Sequence, residues 1–84
     1  MEYRPLITTY IEAAMARAQY ERLEDGTCWA SVPSLQGVWS NADCQENCQL
    51  QLREVLEEWI LVRLRHDLPM PDLDGIDLSV KAMA

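Results

Sequence analysis

The sequence predicts a small α+β domain: an antiparallel three-stranded sheet plus a C-terminal strand, packed by two helices in the order α-β-β-β-α-β. Three observations carry this reading. Apolar residues recur at helical spacing between Pro5 and Ala18. The period drops to two between Tyr20 and Asn41, with turn residues at Asp25-Gly26 and between Pro33 and Gly37. A second helical stripe then runs from Cys44 to His66.

The first helix is expected over about 5–18. Leu6, Ile7, Tyr10, Ile11, Ala14, Met15 and Ala18 follow one another at steps of one, three and four, which sets them on one stripe. Pro5 suits the opening turn, where its missing N–H costs nothing. A helix with one apolar stripe must lie on something.

From Tyr20 the chain reads as strands, over about 20–24, 27–32 and 38–41. Asp25-Gly26 is the strongest hairpin signal. Across it, Cys28, Ala30 and Val32 share one face of the second strand, and Trp29 and Ser31 share the other. Pro33 ends pairing because it has no N–H to give to a ladder. Ser34 to Gly37 turn the chain into Val38-Trp39-Ser40.

The second helix is expected over about 44–66. Asp43 followed by Glu46 fits a capping box at its start. Cys48, Leu52, Val55, Leu56, Trp59, Ile60 and Leu64 form its apolar stripe, and the stretch from Trp59 to Val62 is apolar nearly all round, which requires cover on more than one side. Leu68-Pro69-Met70-Pro71 leaves the helix extended, since a residue before proline is pushed out of the helical region. Asp74-Gly75 then turns into a last strand over about 76–80.

Length and charge narrow the function classes. With 84 residues the chain is one domain, and a core that small is commonly reinforced by self-association or a partner. A net charge of -7 argues against nucleic-acid binding, which needs a basic footprint, and favours a basic partner. No apolar run reaches the ~18 residues of a membrane span, and no signal peptide opens the sequence. Three cysteines, Cys28, Cys44 and Cys48, leave one unpaired in any single-chain scheme, so free thiols in a reducing cytoplasm are expected.

Candidate sites are few. Cys28, Cys44, Cys48 and His66 lack the C-x-x-C spacing of a zinc site, and Asp72, Asp74, Gly75 and Asp77 lack the closing Glu of a calcium loop, so no metal or other cofactor is expected. His66 has no nucleophile or acid to work with, and neither a phosphate loop nor a nucleophile elbow occurs, so an enzyme is not expected. Trp29, Trp39 and Trp59 have two readings. They fill the core, or those on the sheet face away from the helices form, with Ile60, an interaction surface of the kind in which Trp is enriched.

The run from Tyr20 to Asn41, with the phrase Val32-Pro33-Ser34-Leu35-Gln36-Gly37 between its second and third strands, resembles the HicB-like antitoxin domains. The Glu-rich helix from Gln45 to His66 and the exit Pro69-Met70-Pro71 match the same pattern. The resemblance implies a partial ribonuclease-H-like fold without that enzyme's carboxylates, in which Val32, Pro33, Leu35 and Gly37 are the motif positions. It also implies a toxin–antitoxin role: binding and occluding a small basic HicA-like toxin that cleaves messenger RNA. Many such proteins carry an added DNA-binding segment. The present sequence shows none, and it has an additional helix ahead of the first strand. The alternative is an orphan homo-oligomerising HicB-like domain with no toxin partner.

Overall fold

A computed structural model describes the backbone of residues 3–73 and the side chains of residues 7–73. Its elements are α1 (Tyr3–Ala16), β1 (Gln19–Arg22), β2 (Cys28–Ser31), β3 (Trp39–Ala42) and α2 (Gln45–Arg65). The expected strand over about 76–80, the turn at Asp74-Gly75 and Asp77 lie outside the described residues. No described helix is long and apolar enough to cross a membrane.

The three strands form an antiparallel sheet in the order β1-β2-β3. Gln19 pairs with Ser31 and Arg22 with Cys28, while Cys28 pairs with Ala42 and Ser31 with Trp39. The alternation expected of the second strand is present, with Cys28 and Ala30 buried and Trp29 and Ser31 half-buried. α2 packs on β2 and β3, and α1 packs on α2. Tyr10, Ile11 and Ala14 from α1, Ala30 from β2, and Cys48, Leu52, Leu56 and Ile60 from α2 fill one core.

Strand ends differ from expectation because the turns are wider. Leu23 N–H donates to Thr27 O at 2.8 Å and Gly26 N–H to Leu23 O at 3.0 Å, so three residues, Glu24 to Gly26, form the hairpin loop. Gly26 takes φ +89°, as a type I turn followed by a left-handed residue requires. Asp25 Oδ1 accepts from both the backbone N–H and the hydroxyl of Thr27, which holds its carboxyl below the ordinary value.

The capping box does not form. Cys44 is the N-cap of α2 and makes no side-chain cap hydrogen bond. Asp43 stands one position too early, and its Oδ1 accepts instead from Asn47 Nδ2 at 2.8 Å. That bond is the main reason its carboxyl lies below the ordinary value of 3.8. A carboxyl lowered in the folded state favours folding above its ordinary pKa, and the contribution disappears as pH falls through the lowered value. In Asn47→Ala the Asp43 titration, followed by NMR, is expected to move back up toward 3.8.

At its other end α2 closes with a Schellman motif. Leu68 N–H donates to Arg63 O at 2.9 Å and Asp67 N–H to Leu64 O at 3.4 Å. Asp67 therefore occupies the left-handed position, φ 55°, where glycine is usual. Asp67→Gly is expected to raise stability by about 0.5–1 kcal/mol in urea denaturation, because the strain of a side chain in that conformation is removed.

A candidate protein-interaction surface on the open sheet face

Because α2 covers one face of the sheet, period-two alternation delivers six side chains to the other. The register sets them in two rows across the strands: Glu21, Trp29 and Asn41, then Gln19, Ser31 and Trp39. Among the described residues no helix lies over this face. Trp29 and Trp39 sit on the diagonal between the rows and stack, with ring centroids 4.6 Å apart and planes 11° from parallel. Such a pair is worth about 0.5–1.5 kcal/mol beyond its buried area. Trp39 nevertheless remains 49% exposed.

The polar members hold this platform in place. Asn41 Nδ2 donates to Thr27 Oγ1 at 3.0 Å and to Cys28 O at 2.9 Å, tying β3 to the start of β2. Glu21 is exposed and is the one charged residue among the six, so the face pairs an aromatic platform with a carboxylate.

Beneath the sheet the chemistry is that of a core. Ser40 Oγ donates to Cys48 O at 2.8 Å and lies 3.2 Å from Cys48 Sγ, and Cys48 Sγ donates to Cys28 O at 3.3 Å. Burial, and then the neighbouring Cys48 sulfur, push the Cys28 thiol up. Tyr20 is raised by partial burial and by the same two sulfurs. Cys44 is exposed at the surface, apart from this cluster. Among the described residues no three His, Cys, Asp or Glu side chains converge in a way that could hold a metal ion.

The structure separates the residues expected to form one interface. Trp29 and Trp39 share the open face. Ile60 is 3% exposed, within the core and not at the surface. It follows Leu52 and Leu56 at four-residue steps, which turns it toward the sheet. Trp59 is half-buried on α2, where its indole N–H donates to Gln36 O at 3.1 Å and the Arg63 guanidinium lies 4.8 Å from its ring centroid. Arg63 Nη1 also donates to Pro69 O at 3.1 Å. Trp59 therefore ties α2 to the Pro33–Gly37 connection, and Arg63, lying over its ring, ties α2 to the exit segment.

The motif positions are structural. Val32 and Leu35 are buried, Gly37 takes φ +93°, and Pro33 stands in the turn. Leu35 N–H donates to Val32 O, Val38 N–H to Leu35 O, and Val32 N–H to Val38 O, a tight loop that drops Leu35 into the core. The sequence did not foretell that α2 leaves Leu61 and Val62 exposed, at 55% and 47%, nor that Leu68 is 43% exposed. The all-round apolar run was the only signal of it.

Residues 9–71 match the UPF0150-like family model. The crystal structure of TTHA0281 from Thermus thermophilus is similar in fold, with a TM-score of 0.80 and 35% identity over 84% of this chain and 89% of that one. No curated protein matches.

Proposed function

The chain belongs to the UPF0150-like family, and from that premise we propose that it is a HicB-like antitoxin domain. In this reading it has a partial ribonuclease-H-like fold and acts without catalysis, by covering a small basic HicA-like toxin so that the toxin cannot reach RNA. One observation supports it most: the Trp29–Trp39 stack, half-exposed and bordered by Glu21, on the sheet face that no described helix covers. A platform of this kind accepts the planar guanidinium of an arginine over an indole, with the carboxylate close by to pair with it. Arginine-rich surfaces are what RNA-cleaving proteins use to hold phosphates. The net charge of -7 adds long-range attraction to such a partner.

The reading places the protein in the cytoplasm, beside its target, with no nucleic-acid contact of its own. Mixing the purified domain with a basic HicA-like toxin is expected to give a stoichiometric complex by gel filtration and to stop RNA cleavage. Two separate peaks, with cleavage unaffected, would remove the proposal.

A further inference from the structure

The outer flank of α2 carries a sequence of side chains that is complementary to itself when reversed. Val55, Glu58, Val62 and Arg65 follow at steps of three, four and three, a spacing that keeps them on one stripe beside the buried Cys48–Leu52–Leu56–Ile60 stripe. Leu68, past the helix end, extends the stripe, and Val55, Glu58, Val62 and Leu68 line one open groove together with Trp59 and Arg63. Read along the helix the stripe is apolar, acidic, apolar, basic, apolar. Read backwards it keeps its apolar positions and exchanges its charges.

We infer that this flank binds a second copy of the chain, with the two α2 helices antiparallel about a two-fold axis near Leu61–Val62. Positions whose numbers sum to 123 then face each other. Glu58 meets Arg65 of the second copy twice over, Val55 meets Leu68 of the second copy twice over, and at the centre Val62 meets Leu61 of the second copy twice over, which brings the two Val62 side chains close to the axis. A parallel pairing would instead set Glu58 against Glu58 and Arg65 against Arg65, so the charges select the antiparallel arrangement. Antiparallel helix dipoles favour the same choice. The contact would cover Leu61, Val62 and Leu68, which are 55%, 47% and 43% exposed in the single chain. It also answers the need for cover that the apolar run Trp59 to Val62 implies. It lies on the opposite side of the domain from the Trp29–Trp39 platform and does not depend on any toxin.

Sedimentation equilibrium at up to about 100 µM, above a dissociation constant of micromolar order, is expected to give twice the 9.7 kDa chain mass. Val62→Glu sets two carboxylates at the apolar centre and should leave a monomer with an unchanged circular dichroism spectrum, since the side chain is half-exposed. Glu58→Arg and Arg65→Glu should each weaken the dimer by about threefold to tenfold, as two exposed ion pairs turn repulsive. The double variant should recover wild-type affinity, and Trp39→Ala should leave the dimer intact. A monomeric wild type overturns the inference and means that the flank is covered by residues 74–84 or by another protein. A dimer that survives Val62→Glu, or single charge reversals that the double variant does not rescue, also overturns it.

Discussion

Trp39→Ala is expected to lower affinity for a basic HicA-like toxin by about 30-fold or more, corresponding to the ~2 kcal/mol loss typical of an aromatic anchor at the centre of an interface. Two thermodynamic roles combine at this side chain. Its own outer surface, 49% exposed, is what a partner would cover. Its inner surface holds Trp29 in a stacked position 4.6 Å away, so alanine leaves Trp29 without its neighbour and the platform without a fixed shape. Isothermal titration of the variant against the toxin measures the loss. Urea denaturation of the variant alone measures how much stability goes with the stack, about 0.5–1.5 kcal/mol. Glu21→Lys should also weaken the complex and flatten its salt dependence, because an attractive charge becomes a repulsive one. Wild-type affinity in Trp39→Ala would move the docking surface elsewhere on the molecule.

Leu35→Ala should have the opposite profile: a large loss of stability and a native binding surface in whatever fraction stays folded. Leu35 is 1% exposed, and its neighbours Val32 and Val38, 1% and 2% exposed, belong to the same core. Deleting its branched end removes buried area and opens a cavity that the loop, held by three backbone hydrogen bonds, has little freedom to close. The expected cost is about 2–4 kcal/mol, a large share of the ~5–15 kcal/mol that stabilises an ordinary domain. The melting temperature should therefore fall by at least ~10 °C. A cost below about 0.5 kcal/mol would mean that the phrase Val32 to Gly37 is kept for contact with a partner and not for packing.

Much of the fold is legible because burial imposes a period on the chain. Cys28 and Ala30 had to face one way, and Trp29 and Ser31 the other, once the strand was recognised. Tyr10, Ile11 and Ala14 mark the inner side of α1 in the same way. What escaped was decided by geometry that no period records. Asp43 looked like a cap, but the chain leaves β3 at Ala42 and needs two further residues before helical geometry begins at Gln45. The end of α2 carries no glycine signal, since Asp67 occupies the left-handed position.

The candidate surface was half legible for a related reason. Sequence alternation placed Trp29 on the face opposite Cys28, but which face α2 would choose followed only from the contact of Cys48 with Cys28 and Ser40. Trp59 and Ile60 are adjacent in sequence, yet a 100° turn of helix sends one toward the Gln36 carbonyl and the other into the core.

The separation of the thiols has a practical use. Cys28 and Cys48 are sealed between sheet and helix, whereas Cys44 stands in the open at the head of α2. A maleimide dye added under native conditions would therefore attach at one place, with no cysteine engineering. That place belongs to neither candidate contact, so the native chain already supplies a single-label probe for following either association by fluorescence anisotropy.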